Sequence, residues 1–563
     1  MIISIIALLC TVIICVSFGL LLESIIEKIE PSRASQKLNL HLTLLMGLFF
    51  TSFLLMAIHF FFNINGIILT CFILISLLTI IIKRKKISQL FDFKLNNNKH
   101  LLLVPVICIS VFSILLNFSD SIYVYDLGLY HLQNIKWIET YPIVHGLGNL
   151  HGRFAFNSNW FLLAALFGYK SILGQRVFVI NALLILIFVS TFLNYIAMIS
   201  KNHQSSKFAL FIFIFSSISI YRFANSPSTD IPCDIIIWII LILFLDKKER
   251  KDFNVWDKHS WVILFLSVFI VTVKVSSAFI LILPIYLLLQ DIKSNKKSVL
   301  FAILFSGIYL SLWVLRNIII SGTIIYPLAL SQLPWFDWSI PQEQVKQMEY
   351  IIQSWAIKPN TPIQEILSMS FIEKFLTWRE YKPLFFQVII FLGFLGNIVF
   401  FTIDLFICIK NKTNWKTMKS HDLILNIYLL VSLLYWYLNA PDPRFAYGVI
   451  FAAISIFLVR CIQYVRFSRL SRDFILLFLL LVTAWGTYIF APWNSIETYL
   501  LYPPDTPAFS ITKVNLIDGT FIYTPTDGDQ CWDAPLPCSP WLEDGLLMRG
   551  LSISDGYKII SAK

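Results

Sequence analysis

The sequence predicts an all-α fold that crosses a membrane many times, and three observations predict it. Of its 563 residues, 57% are hydrophobic and only 14% are charged, with a mean hydropathy of +0.75, far from the balance of a water-soluble domain. Apolar runs long enough to carry a helix across roughly 30 Å of hydrocarbon recur along nearly the whole chain, without the alternating pattern of a membrane β-barrel. The basic residues stand in short clusters between these runs. That pattern encodes topology rather than nucleic-acid binding, so the net charge of +11 implies membrane lipids and not nucleic acid as partners.

Spans are expected near residues 1–22, 38–60, 66–82, 101–118, 177–199, 208–222, 231–245, 259–273, 275–290, 298–315, 384–409, 422–438, 444–459 and 474–490, about fourteen in all. The first has neither a basic leading region nor a small-residue cleavage site before Glu23, so it reads as a retained span and not a signal peptide. The apolar run 261–290 is too long for one span and divides at Lys274, whose charge prefers an interface. The stretch 160–168 is too short to cross and is expected to be re-entrant or to lie flat.

Basic clusters at 83–86, 201–207, 246–251, 291–297, 410–419 and 460–472 are separated by even numbers of expected spans, which puts all six on the inner side. The chain then divides into N-terminal transmembrane helices (1–118), an external loop with juxtamembrane helices (119–176), and a central bundle (177–315). A second external loop (316–383), C-terminal helices (384–490) and an external tail (491–563) follow.

The tail carries nine acidic and four basic residues, the reverse of the inner clusters, and reads as a small strand-and-turn appendage. Within it Cys531 and Cys538 flank a Pro-containing turn, and an external, oxidising setting favours their pairing. The other seven cysteines lie in or beside spans, where a thiol behaves as a small hydrophobe.

On this topology Asp126, His131, His145, His151, Arg153, Arg222, Asp230, Lys274, Arg316, Asp442 and Arg444 all fall at or near the outer ends of spans. Charges at membrane depth are costly and usually point into a cavity, so a one-sided set suggests one external site. Interfacial anchoring accounts for many such residues singly. Asp126 has two readings that can coexist: a half-desolvated base for a sugar hydroxyl, or the N-cap of a helical stretch 127–140 that stops before Pro142. His131 lies about 140° around an α-helix from Asp126, which argues against a shared face. Arg316, Arg444 and Lys274 suit an anionic head group, because arginine grips phosphate with a planar fork and lysine adds a point charge. Trp137, Trp160, Trp335, Trp338, Trp355 and Trp378 read mostly as an interfacial belt.

The stretches "YVYDLGLYH", "NSPSTDIPCD", "TVKVSSAFILILPIY", "LRNIIISGTIIYP" and "PDPRF" resemble the GT-C class of integral-membrane glycosyltransferases. More narrowly, "YDLGLYHLQNIKWI", "HGRFAFNSNWF" and "GDQCWDAPLPC" resemble a bacterial family of multi-spanning proteins of uncharacterised function related to that class. The resemblance implies a protein of the bacterial cytoplasmic membrane with external transfer, a polyprenyl-phosphate-linked sugar donor, and a carboxylate base. It assigns that base to Asp126, a second acidic position to Asp230, and the donor phosphate to Lys274, Arg316 and Arg444; His131 and Arg153 join Asp230 as substrate-binding candidates by their place in the one-sided set. Two departures stand out. The acidic loop follows the fourth expected span instead of the first, and Asp126 lacks the acidic neighbour that pairs with it in many members, so a divalent metal is an option of the class and no ligand is assigned to one. The rival readings are a transporter or flippase of a lipid-linked saccharide, a surface-polysaccharide polymerase or ligase, and an inactive scaffold.

Overall fold

The computed structural model describes residues 1–29, 39–90, 103–120, 124–250, 256–292, 295–410 and 418–560. Most of the basic cluster at 410–419, and parts of those at 246–251 and 291–297, lie outside the described residues. Four helices open the chain: α1 (Ile2–Ile29), α2 (Leu40–His59), α3 (Gly66–Leu90) and α4 (Leu103–Asn117). Short helices α5 (Leu132–Thr140), α6 (Leu147–Leu150), α7 (Asn159–Leu166) and α8 (Lys170–Leu173) follow. Then come α9 (Ile180–Ala197), α10 (Gln204–Ser216), α11 (Asp230–Glu249), α12 (Lys258–Val273), α13 (Ile282–Asp291) and α14 (Lys296–Ser321). Three surface helices, α15 (Gln342–Ile357), α16 (Ile363–Ser368) and α17 (Phe371–Tyr381), precede the last four, α18 (Leu384–Lys410), α19 (Met418–Asn439), α20 (Tyr447–Cys461) and α21 (Arg469–Phe490).

Helix occupies each of the fourteen apolar stretches, but only nine helices among the described residues are long and apolar enough to cross a membrane. These are α1, α2, α3, α9, α14, α18, α19, α20 with its leading turn, and α21. The chain is thus a helical multi-pass membrane protein. The other five stretches differ for two reasons: the 13 residues of α10 rise only about 20 Å, short of a bilayer core, and α4, α12 and α13 are short too, whereas α11 has 20 residues but carries charges at both ends. The run divided at Lys274 does break there, since α12 ends at Val273 and a 3-10 turn, Val275–Leu281, leads into α13.

Apolar faces alone do not set how closely helices pack; small residues do. A Cβ on Gly47 would stand 1.7 Å from the carbonyl oxygen of Cys15, and one on Gly19 would stand 2.0 Å from that of Thr43, so α1 and α2 meet backbone to backbone. At one end of the bundle, ion pairs tie helix termini together. Lys258 reaches Glu23 at 2.7 Å and Glu27 at 3.0 Å, Lys86 meets Glu27 at 2.6 Å, Lys248 pairs with Asp422, and Arg460 meets Asp404 at 2.9 Å.

The opposite end carries the loops and the tail. The tail holds two antiparallel hairpins, β1 (Ile511–Asn515) with β2 (Phe521–Pro525) and β3 (Leu546–Met548) with β4 (Tyr557–Ile559). The Cys531–Cys538 disulfide lies between them. The three segments expected as separate external pieces share one apolar core: Trp137, Leu147 and Leu150 from the first, Ile340 and Val345 from the second, and Leu516, Ile522 and Tyr557 from the tail. The chain also closes on itself, because the Met1 ammonium donates to the Tyr499 carbonyl at 3.0 Å and the Ile2 amide to that of Leu500 at 3.0 Å.

Replacing Gly47 by Val should force α1 and α2 apart. A loss of at least about 1–3 kcal/mol is expected for such overpacking. It would be read as a lower unfolding midpoint in detergent, whereas Gly307→Ala on α14, where a Cβ meets nothing within 4 Å, should leave the midpoint unchanged.

Candidate functional site

The first external segment enters through a turn whose hydrogen bonds close over five residues: the Leu132 amide donates to the Leu127 carbonyl. This is a π-helix, Leu127–His131, a form found mostly as short insertions at functional sites. Residues five apart are stacked by it. Asp126 and His131, expected on different faces of an α-helix, are thus joined by a wider turn than an α-helix has, and the Asp126 charge acts on the His131 ring. Asp126 is at the N-cap position but makes no capping hydrogen bond, so its carboxylate is free to turn toward the cations.

Arg153 donates to Asp126 Oδ1 at 2.8 Å, and Arg444 faces Oδ2 at 3.6 Å. Arg444 also faces Asp230 at 3.9 Å, and Lys274 donates to Asp230 at 2.6 Å. Phe445 has the Lys274 ammonium 4.8 Å and the Arg444 guanidinium 5.1 Å from its ring centre, and Arg153 lies 5.6 Å from that of Tyr130. Five of the seven residues assigned to a site thus form one charged chain: Arg153, Asp126, Arg444, Asp230, Lys274. It crosses four elements far apart in sequence.

Local chemistry explains each placement. In "PDPRF" Asp442 accepts the Arg444 amide at 2.9 Å and Pro443 begins a 3-10 turn, Pro443–Ala446, presenting Arg444 with its side chain 47% exposed. Asp230 opens α11, where a carboxylate suits the helix dipole. Lys274 is the residue at which α12 breaks. One turn beyond Asp230, Asp234 is buried and accepts the Gly448 amide at 2.7 Å, locking α20 and the Arg444 turn onto α11. The sequence reading did not single out Asp234; the spacing in "DIPCD" puts both carboxylates on one helix face.

His131 is buried between Tyr130 and Phe161, with ring centres 4.4 and 5.1 Å away. Burial pushes its pKa down to about 4, against the opposing pull of Asp126 and Asp230. It is neutral at pH 7 and cannot act there as a cation for a phosphate. Arg316 also stands outside the chain of charges, five residues before the end of α14, where Nη1 donates to Asn159 Oδ1 at 3.1 Å. Tyr130, against which Arg153 lies, meets Phe156 and Phe161, and those two rings line the space at Arg316. An aromatic layer therefore separates Arg316 from Asp126, contrary to the expected common face. Trp137, Trp160 and Trp378 depart from the interfacial belt in the same way, being buried with the core.

The tail completes the site. Tyr125 pairs with Asp529, Gln530 donates to the Tyr125 carbonyl at 2.8 Å, and the Trp532 amide donates to that of Gly128 at 3.0 Å. A side chain at Gly128 would collide with the Trp532 ring at 2.7 Å. Asp533 is then gripped by Arg176 at 2.7 Å, Lys136 at 3.2 Å and Lys170 at 3.2 Å. Burial would raise the Asp533 carboxyl, but Arg176 and the two lysines hold it below its ordinary range.

Among the described residues no group of three or more His, Cys, Asp or Glu side chains stands together as a metal ion would need. Asp126 and Asp230 face cations instead of each other, so the donor set does not fit a divalent ion.

A family described as a domain of unknown function, DUF8201, matches residues 1–451. The chain belongs to that family. The DUF8201 segment contains the whole charged chain from Asp126 to Arg444 and stops short of the tail that covers it. No curated protein and no solved structure matches the sequence.

The unfolded chain takes up a proton on His131 near pH 6.5 that the folded chain refuses until about pH 4. Stability should therefore fall as pH drops through that window, by up to about 3 kcal/mol from this residue, and should be flat above it. His131→Leu should show a correspondingly shallower loss in denaturant titrations at pH 6.5 and 4. Asp533→Asn leaves Arg176 buried with Glu139 as its remaining carboxylate. A loss of about 2–4 kcal/mol is expected, at the lower end because Asp533 touches solvent. Limited proteolysis should then release the tail at protease levels that leave wild type intact.

Proposed function

We propose that the chain is a glycosyltransferase of the bacterial cytoplasmic membrane that resembles the GT-C class. It moves a sugar from a polyprenyl-phosphate donor to a glycan, lipid or protein acceptor on the external face. The observation that carries this reading is the asymmetry of Asp126. One carboxylate oxygen is fixed by Arg153 at 2.8 Å, while the other has only the longer contact to Arg444 at 3.6 Å. The fixed oxygen orients the group and the other can accept a proton. In the transfer, Asp126 Oδ2 takes the acceptor's hydroxyl proton and the hydroxyl oxygen bonds to the anomeric carbon. The bond from that carbon to phosphate oxygen breaks, and polyprenyl phosphate leaves with the electron pair. Arg444 and Lys274 suit the departing anion, since Arg444 holds its carboxylates loosely, at 3.6 and 3.9 Å, and a phosphate can draw it away.

A transporter of a lipid-linked saccharide is the second reading, favoured by the helix break at Lys274, because broken helices recur at transporter binding sites. A polymerase or ligase would use the same site with a different acceptor.

Transfer of labelled sugar from polyprenyl-phosphate donors by purified protein decides between them. Asp126→Asn should lower turnover by about 10²- to 10⁴-fold with donor binding retained. Full transfer by the variant would remove the base assignment, and donor binding without transfer by wild type would favour transport.

A further inference from the structure

Beyond the aromatic layer, a cavity of about 30 Å³ lies between the end of α2, α5, the turn at 154–158 and α14. That is about two to three times the space a single water needs. Six polar residues line it, His59, Asn134, Trp137, Asn157, Ser158 and Arg316, and none is more than 8% exposed. All but Ser158 carry a polar atom with no hydrogen-bond partner among the described residues: His59 Nδ1, Asn134 Nδ2, Trp137 Nε1, Asn157 Oδ1 and Arg316 Nε.

Water can satisfy stray donors and acceptors, whereas a buried charge needs a counter-charge or a full set of dipoles. Seven cationic side chains are buried in the described residues, and six are accounted for. Arg176, Lys247, Lys248, Lys258 and Arg472 have carboxylates, and Lys207 donates to three backbone carbonyls. Arg316 has the neutral amide oxygen of Asn159 alone. The geometry points to a second anion site here, separate from the Asp126 cluster, that takes the singly protonated phosphate group of an inorganic ion or of a monoester head. Arg316, Asn134 and Trp137 carry unpaired N–H groups that can only donate, and a small turn of each side chain would bring them onto the oxygens. His59 donates through Nε2 to the Tyr141 carbonyl, which leaves Nδ1 of the neutral ring to accept, with Asn157 Oδ1, the proton such a group carries. The inference holds whether or not the chain transfers sugar.

The test is thermal unfolding of the full chain in nanodiscs with two probes, inorganic phosphate and farnesyl phosphate, against chloride at equal ionic strength. Saturable stabilisation of wild type at pH 7 is expected from at least one probe. Arg316→Gln should weaken it about ten-fold or more, as for hydrogen bonds to a charged group. Trp137→Phe keeps the ring and removes only the N–H, and should weaken it about two- to ten-fold. The part of the stabilisation that depends on Arg316 and Trp137 should persist in Arg444→Gln, and any part that Arg444→Gln removes belongs to the Asp126 cluster. Stabilisation by inorganic phosphate identifies a free-ion site, and stabilisation by farnesyl phosphate alone identifies a lipid head group. The inference is overturned if neither probe stabilises wild type, if Trp137→Phe and Arg316→Gln bind as wild type does, or if Arg444→Gln abolishes the effect.

Discussion

A charge sealed in an apolar bundle must find a counter-charge or a full set of dipoles, and this requirement organises the molecule at both ends. At the end away from the loops, Lys258 joins α12 to α1, Lys248 joins α11 to α19, and Arg460 joins α20 to α18. At the loop end, Arg153, Asp126, Arg444, Asp230 and Lys274 tie the first external segment to α20, α11 and α12. Such pairs add little net stability, because desolvation offsets most of their attraction. Their effect is on arrangement: a helix rotated or shifted by one residue would leave an ion alone in oil, so the pairs select one packing among many that hydrophobic faces would accept.

The module at the loop end follows from the same requirement. The carboxylate of Asp533 sits in a nearly closed setting among Arg176, Lys136 and Lys170, and that grip holds the disulfide-closed loop Cys531–Cys538 down on the π-turn. Trp532 then fills the space that Gly128 leaves open. Asp126 is thereby fenced by covalent, ionic and steric means within a few residues, while Arg444 keeps only longer contacts, at 3.6 and 3.9 Å, and a half-exposed side chain.

Much of this was legible in the sequence because it is written locally. Hydropathy marked where helices lie, and a lone lysine inside an apolar run marked the break at Lys274. Carboxylates and arginines at span ends marked most of the charged cluster. What escaped was non-local. The π-turn between Asp126 and Leu132 takes a hydrogen bond from a tryptophan some four hundred residues away, and no helical period can show that. Arg316 looks like its fellow cations in sequence, yet its position five residues inside α14 buries it behind Tyr130, Phe156 and Phe161. Hydropathy marked fourteen apolar stretches but not how far each helix reaches, and nine helices among the described residues are long and apolar enough to span by themselves.

The tie between Met1 and the segment 499–501 has a consequence for how the molecule closes. Residues 1 and 2 bond to a segment that follows the last helix, and the π-turn bonds to residues 529–532 beyond it. The loop end can therefore close only when those late segments are present. A chain cut after α21 would keep its helices and its charges but lose the residues that lie over Asp126, so the packing of the earliest helix and of the charged cluster both depend on what comes after the last one.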